Sequence, residues 1–179
     1  SEVWAAKVTN KSSRARTISV FGYAEFTNDS NYEQDQVNLQ YTQFITRTFF
    51  ENNKIYQTIN ANTGKDETGS NHRERFFGMA GQTVKSYNGD KKAFLGNYHS
   101  YGNPIAVESG ACDNVLNYNS NGCGALHTQI TLQPGETKEV AFLLGQAEPW
   151  VADEILAGYA DLSVVEKEKQ ELITYWHSK

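Results

Sequence analysis

The chain has 179 residues, a formal net charge of −5, 39% hydrophobic residues and 12% aromatic residues. This is the length of one domain, and a chain of this size buries roughly two-thirds of its unfolded surface. The negative charge argues against nucleic acid and anionic membranes as partners, because binding to either depends on clustered Lys and Arg. No apolar run approaches the roughly 18 residues of a membrane-spanning helix, so no such helix is predicted.

The first part of the chain has the pattern of antiparallel strands separated by polar turns. Residues 2–9 alternate, and a turn at 10–13 leads to a long run of β-branched and aromatic residues at 15–26, so we predict a first hairpin. A polar stretch over 27–38 follows, and strand character returns at 41–48. A long polar loop between long strands is a frequent place for function.

The strand pattern continues to about residue 144, with a loop at 62–70 and irregular sequence at 94–104. Pro134-Gly135 separates the last two strand-like runs, which favours a type II turn and an antiparallel pair. Many strands without intervening helices predict a sandwich of two antiparallel sheets. The further strands are predicted at 54–59, 75–80, 83–87, 105–108, 126–132 and 140–144.

The sequence becomes helical after Gln146. Ser163 stands three residues before Glu166, which is the spacing of a capping box. Apolar residues then recur at helical intervals, namely Val165, Leu172 and Trp176. We therefore predict a β-sandwich domain at 1–147, truncated at its N-terminus, and at 148–179 the start of a helical linker into a following domain.

The residues predict no catalytic group in this chain. Glu33 and Asp35 form a carboxylate pair in the polar loop, but alternating carboxylates in a solvated loop are more often hydrated charges than the acid and base of a glycosidase. Glu25 lies at a strand end, where a solvent-facing or hydrogen-bonded carboxylate is expected. The sequence also lacks a Gly-x-Ser-x-Gly elbow and a phosphate-binding Gly-rich run.

The cysteines and histidines indicate no metal site. Cys112 and Cys123 lie in an Asn- and Gly-rich stretch, where either a disulfide or two unrelated reduced thiols are possible. The four histidines lack the spacing that collects a metal ion. Since His127 follows the apolar Leu126 in a predicted strand, we place its side chain on the strand surface.

The polar loop holds the densest group of amide side chains beside an aromatic ring. Tyr32 has Asn31, Gln34 and Gln36 close by in the sequence. Planar amides and an aromatic ring suit sugar hydroxyls and a sugar face. The alternative is an Asn-rich turn that caps its own backbone. From these residues alone, the sequence predicts the β-sandwich part of a larger protein and no more.

A series of short motifs resembles the N-terminal domain of inverting β-glycoside phosphorylases, the family of the cellobiose, chitobiose, cellodextrin, laminaribiose and cellobionic acid phosphorylases. Their order and spacing extend over nearly the whole chain. The motifs are Glu2-Val3-Trp4, Arg16-Thr17-Ile18-Ser19-Val20-Phe21, Glu25-Phe26, Phe94-Leu95-Gly96, Asn103-Pro104-Ile105-Ala106-Val107-Glu108-Ser109-Gly110, Cys123-Gly124-Ala125-Leu126-His127 and Leu132-Gln133-Pro134-Gly135-Glu136.

This resemblance implies a mainly β fold, a large mutarotase-like super-sandwich, followed by a helical linker and a barrel of paired helices that this chain lacks. It implies cleavage of a β-linked gluco-disaccharide or oligosaccharide by inorganic phosphate, which gives an α-sugar 1-phosphate with inversion. The general-acid Asp and the main phosphate ligands belong to the barrel beyond Lys179, so the chain alone is expected to be inactive. Phosphate is a co-substrate, and neither a metal nor an organic cofactor is expected.

The resemblance also gives the β-domain two roles, packing in a homodimer and supplying a loop to the acceptor-sugar subsite. In cellobiose phosphorylases the loop carries Asn-Phe-Gln-Arg, and the matching residues here are Asn31-Tyr32-Glu33-Gln34. Without the arginine fork, the acceptor is not expected to be recognised as in those enzymes. The stretch resembles more closely the cellobionic acid, laminaribiose or cellodextrin enzymes. The implied substrate-binding residues are Tyr32, Glu33, Gln34 and Gln36, and the expected location is cytoplasmic.

Two other hypotheses remain. The chain could be a stand-alone carbohydrate-binding or scaffold sandwich without catalysis, as the Asn, Gln and Tyr residues of the polar loop would allow. It could also be the β-domain of a hydrolase that uses water. Phosphate-dependent release of sugar 1-phosphate separates the phosphorylase from both.

Overall fold

The computed structural model describes residues 1–26, 46–59 and 74–179. Within these ranges the chain forms eight strands and four helices. The strands are β1 (Glu2–Thr9), β2 (Arg16–Glu25), β3 (Thr46–Glu51), β4 (Lys54–Ile59), β5 (Glu74–Ala80), β6 (Ser86–Asp90), β7 (Gly122–Leu132) and β8 (Thr137–Ala147). The helices are α1 (Lys91–Leu95), α2 (Ile105–Ser109), α3 (Pro149–Gly158) and α4 (Ser163–His177).

The strands form two antiparallel sheets that face each other. The larger sheet has the order β1-β8-β5-β4-β3, and the smaller has the order β2-β7-β6. Helices α1 and α2 cover the outer face of the smaller sheet, and α3 covers the outer face of the larger sheet. The mainly β sandwich with C-terminal helices that the sequence predicts is confirmed.

Side-chain alternation builds three apolar clusters from these layers. Along β8, Val140 and Phe142 point between the sheets, whereas Ala141 and Leu143 point toward α3. Successive residues of a strand face opposite sides, so one strand serves two clusters when both of its faces are covered. The inner cluster contains Ala24, Ile55, Phe77, Met79, Leu126, Ile130, Leu132, Val140 and Phe142.

The predicted turn at Pro134-Gly135 is confirmed, but the predicted pairing across it is wrong. Gly135 has a φ of 77°, and the Glu136 N–H donates to the Gln133 carbonyl over 3.0 Å. The strands on either side, β7 and β8, belong to different sheets. The turn therefore carries the chain from one sheet to the other, and each strand finds its partners elsewhere.

The predicted first hairpin is also wrong, because its two strands belong to different sheets. Strand β1 pairs with β8, and strand β2 pairs with β7. Asn10, which is 6% exposed, holds the connection between them by donating to the Arg14 and Leu132 carbonyls. The short connection thus changes sheets instead of closing a hairpin.

Three predictions for the middle of the chain also need correction. The predicted strand at 105–108 is helix α2, which begins after Pro104 and ends at Gly110, where φ is 77°. The irregular stretch at 94–104 overlaps helix α1, whose first turn is capped by the Asp90 side chain. The strand predicted at 83–87 forms as β6 and begins at Ser86. Single helical turns leave too little periodicity to be recognised in a sequence.

The C-terminal helix is confirmed, whereas its predicted cap is wrong. Leu162 occupies the N-cap position of α4, and Ser163 is already helical. The Ser163 N–H donates to Asp161 Oδ1 over 3.0 Å, so an aspartate two residues upstream satisfies the helix start. None of the described helices is long and apolar enough to span a bilayer. The domain division at 147/148 stays a prediction.

Candidate functional site

Four strand ends meet at one end of the sandwich, which we call the loop end. Glu25 closes β2 opposite Cys123, and Asp90 closes β6 opposite Gly122. Thr46 opens β3 beside the 117–120 stretch, with its carbonyl accepting from the Asn119 N–H over 2.8 Å. The predicted acceptor residues Tyr32, Glu33, Gln34 and Gln36 lie between Glu25 and Thr46 in the sequence, outside the described residues.

The Glu25 carboxylate is the most densely bonded group of the loop end. It accepts hydrogen bonds from the Tyr23 hydroxyl over 2.9 Å and from the Tyr101 hydroxyl over 2.5 Å. The Lys91 ammonium lies 3.0 Å from the same carboxylate and 5.3 Å from the centre of the Tyr101 ring. The cluster joins β2, the first turn of α1 and the loop after α1, so the sequence expectation of a hydrogen-bonded Glu25 is confirmed.

These contacts exclude Glu25 as a general acid. Burial by itself would raise the pKa of Glu25, but the hydrogen bonds from Tyr101, Lys91 and Tyr23 outweigh it and lower the pKa. Burial opposes the charge of Lys91 as well, and there the contacts with Tyr101 and Glu25 raise the pKa. A general acid at neutral pH needs a raised carboxyl pKa. Glu25 is therefore a structural anion that fixes the end of β2.

A second polar network holds the opposite side of the loop end. Asp90 Oδ2 accepts from the Ser120 hydroxyl over 3.0 Å, and the same hydroxyl lies 2.6 Å from Asn117 Oδ1. The Thr46 hydroxyl accepts from the Asn117 amide over 3.4 Å. Asn117 is 2% exposed and Thr46 is 1% exposed. Hydrogen bonds therefore hold the described residues on both sides of 27–45, exposed ones at Glu25 and a buried one at Thr46.

A groove beside this network is lined by Arg47, Thr48, Phe49, Leu116, Asn117 and Tyr118. Arg47 and Tyr118 pair across the edge of β3. Sequence reasoning missed Arg47, Lys91, Tyr101 and Tyr118 as residues of this end. The position of Arg47 in the strand predicted after the polar loop was a signal for the first of them, but no local sequence pattern shows that the other three lie at the same end.

The outer face of the smaller sheet carries a buried polar group. His127 is 3% exposed, stacks on Phe21 at 4.5 Å and has its Nδ1 2.8 Å from the Ser86 hydroxyl. Burial, with a contribution from Lys85, lowers the pKa of His127. The predicted surface position is wrong, because α1, α2 and the chain after them cover this face of β7 as well.

The two cysteines share this layer without bonding to each other. Cys112 and Cys123 are both free and buried in the cluster under α1 and α2. Burial raises the pKa of the Cys112 thiol to about 12 and also raises that of Cys123. Of the two possibilities left by the sequence, the reduced thiols are present. No group of three or more His, Cys, Asp or Glu side chains suited to a metal ion exists among the described residues.

A buried ion pair joins α3 to the larger sheet. The Lys54 ammonium is fully buried and lies 2.5 Å from Asp153 Oδ1, whose side chain is 42% exposed. It also donates to the Asn52 carbonyl over 2.8 Å. Since the lysine has no access to water, the pair fixes α3 against the turn between β3 and β4 and is structural.

The two-sheet fold agrees with the sequence comparisons, which place the chain in a family of carbohydrate-active proteins. Residues 1–162 match the glycosyl hydrolase 94 supersandwich domain. The chain belongs to this family. The resemblance that its motifs indicate is confirmed.

Curated relatives of the chain include several proteins that are named phosphorylases. An N,N'-diacetylchitobiose phosphorylase of Vibrio furnissii is 35% identical over 99% of this chain and 21% of its own length. The protein of that name from Vibrio proteolyticus is 36% identical over 80% of this chain and 17% of its own length. A solabiose phosphorylase of Paenibacillus borealis is 30% identical over 82% of this chain and 18% of its own length. The chain thus spans about a fifth of these relatives.

Proposed function

We propose that this chain is the non-catalytic β-sandwich domain of a phosphorylase that cleaves a β-linked disaccharide or oligosaccharide with inorganic phosphate. The observation that carries the proposal is the family match over residues 1–162, together with relatives that are named phosphorylases. The product is an α-sugar 1-phosphate formed with inversion. Phosphate acts as a co-substrate, and no metal or organic cofactor takes part.

The described residues support a non-catalytic role for the domain. Glu25, the carboxylate with the most partners at the loop end, is held ionised by three donors. The Ser86–His127 pair is buried and cannot reach a substrate without opening of the fold. In this proposal the general acid and the phosphate ligands belong to a downstream helical barrel, as the family resemblance implies, where the acid protonates the leaving oxygen while phosphate attacks the anomeric carbon.

The proposed role of the domain is to complete the acceptor subsite and to pack in a homodimer. Tyr32, Glu33, Gln34 and Gln36 remain the proposed acceptor-binding residues, and in the sequence their segment lies between Glu25 and Thr46, two hydrogen-bonded residues of the loop end. N,N'-diacetylchitobiose becomes the first substrate to examine, because two relatives carry its name. The cytoplasmic location stays a prediction.

The test is phosphorolysis by the full-length parent protein. N,N'-diacetylchitobiose, cellobiose, laminaribiose, cellobionate and cellotriose are incubated with and without phosphate, and sugar 1-phosphate is measured. We expect release from one of them that depends on phosphate. Release of free sugar without phosphate would establish the hydrolase, and no release with sugar binding retained would establish the carbohydrate-binding sandwich.

The acceptor residues are tested in the synthetic direction, where the acceptor sugar is added separately. Q34A and Q36A should raise the KM for the acceptor about tenfold and leave the KM for sugar 1-phosphate unchanged, since each removes a hydrogen-bonding amide. Q146A provides a glutamine control outside the polar loop. An equal rise in both KM values would contradict acceptor-specific binding.

A further inference from the structure

The groove at the start of β3 has walls fixed by backbone hydrogen bonds. The Thr48 N–H donates to the Asn117 carbonyl over 3.0 Å, and the Asn117 N–H donates to the Thr48 hydroxyl over 2.7 Å. Thr48 and Asn117 are 5% and 2% exposed. Because Thr48 and Asn117 are buried and hydrogen-bonded to each other, the two sides of the groove keep their positions without a ligand.

The accessible groups of the groove are one cation and two apolar surfaces. Arg47 is exposed, and its guanidinium has neither an ion pair nor a hydrogen bond within residues 1–26, 46–59 and 74–179. Tyr118 is 71% exposed and Leu116 is 39% exposed. The groove has a volume of about 500 Å³. Small-molecule sites have volumes of roughly 300–1,000 Å³, so one sugar unit fits.

These groups select a particular kind of sugar. A guanidinium offers planar, paired donors that match carbonyl and carboxylate oxygens better than a single hydroxyl. A tyrosine ring combines an apolar face with a polar tip, which suits a ring that has C–H groups on one side and hydroxyls at its edge. A pyranose that carries an acetamido or a carboxylate group meets both requirements, and unsubstituted glucose meets only the second.

We propose that the Arg47–Tyr118 groove is a sugar-binding subsite for a pyranose that bears an acetamido carbonyl or a carboxylate. The choice of a sugar as ligand rests on the proposed function. Arg47 lies at the start of β3, so the groove belongs to the loop end, and in the sequence it follows the segment 27–45 by two positions. Arg47 binds the substituent, and Tyr118 and Leu116 contact the ring.

The experiment is calorimetric titration of the full-length parent with N-acetylglucosamine, glucuronate and glucose. We expect N-acetylglucosamine or glucuronate to bind more tightly than glucose, and the one that does identifies the substituent. R47A should weaken its binding by about tenfold or more, or remove one class of sites, because it removes a charge-assisted hydrogen bond. R14A, at an exposed arginine on the opposite end of the sandwich, should bind as the unmodified protein does.

Two further variants separate a loss of sugar binding from a failure to fold. R47K retains the charge and most of the side chain but loses the fork, so it should bind nearly as weakly as R47A. Y118A changes an exposed side chain that makes no described hydrogen bond and should weaken binding by a smaller factor. Unchanged binding in R47A would overturn the subsite, and R47K binding as tightly as the unmodified protein would overturn recognition of a planar oxygen group.

The phosphorolysis assay separates this proposal from the proposed function. Sugar binding that depends on Arg47 in a protein without phosphorylase activity would support the subsite and reject the phosphorylase. Phosphorylase activity with binding and KM values unchanged in R47A would support the phosphorylase and reject the subsite.

Discussion

The two outer faces of the sandwich are covered by helices of different kinds. The ten-residue helix α3 covers the larger sheet with apolar side chains, and Lys54 of β4 is buried beneath it as a cation. The five-residue helices α1 and α2 cover the smaller sheet, where two thiols and the Ser86–His127 pair are buried. The larger sheet thus buries a charge that has a carboxylate partner on its covering helix, whereas the smaller sheet buries thiols and a Ser–His pair without an ion pair.

The largest expected loss of stability comes from a substitution in α1, which covers the smaller sheet. Phe94 in α1 is 2% exposed and stacks on Tyr23 at 4.7 Å. F94A should lower the free energy of unfolding by about 3–5 kcal/mol, since it removes a large buried ring and leaves a cavity. Urea denaturation measures the loss. V107A, at a 44% exposed position in α2, is the control and should change stability by less than about 0.5 kcal/mol.

The buried charge under α3 provides the next test. D153A should lower stability by about 2–3 kcal/mol, because it leaves the Lys54 ammonium buried with only a carbonyl partner. The expected loss is below that of a fully buried pair, since Asp153 is 42% exposed. K54M should cost less, as the remaining carboxylate can be hydrated. E154A on the exposed side of α3 serves as the control, and a larger loss in K54M than in D153A would contradict this account.

The smallest expected effect is a pH dependence of stability that comes from His127 on the outer face of the smaller sheet. His127 has a lowered pKa, so the unfolded chain binds this proton more readily than the folded chain below pH about 6.5. Stability should therefore fall as the pH decreases below about 6.5, as urea denaturation at a series of pH values would measure. H127Q should remove this part of the pH dependence. H177Q changes an exposed histidine of α4 and should retain it. Equal slopes in H127Q and the unmodified protein would show that another group titrates.

Sequence patterns predicted where strands form better than which strands pair. Residues 2–9 and 54–59 were predicted with the bounds that β1 and β4 have. The Pro134-Gly135 turn was also predicted correctly, yet it links two sheets. Alternation is a local property that a strand shows whichever neighbour it has. Which strands pair depends on which apolar faces pack together. The sequence of two consecutive strands does not show whether they pair with each other.

For the candidate site too, the sequence predicted some features and only the structure showed the others. The motifs placed the chain in its family, and the strand-end position of Glu25 predicted a solvent-facing or hydrogen-bonded carboxylate, of which the structure shows the second. The acceptor residues Tyr32, Glu33, Gln34 and Gln36 remain predictions. Tyr101 lies 76 positions from Glu25, and its hydroxyl reaches that carboxylate only because the loop after α1 folds back over β2. A contact of this kind has no local signal.

By itself, the sequence determined most of the strand-forming segments, the C-terminal helix and the membership of the family, because alternation, helical spacing and short motifs can all be read along the chain. The tertiary structure alone decided the sheet partners, the burial of His127, the state of the cysteines and the position of Arg47 beside Tyr118. The burial of His127 and of Cys123 depends on the packing of the other sheet and of the helical layer on the two faces of β7. The position of Arg47 depends on the pairing of Tyr118 with the edge strand β3. Such coverage arises from packing between distant segments, since burial of apolar surface depends on the whole assembly of layers.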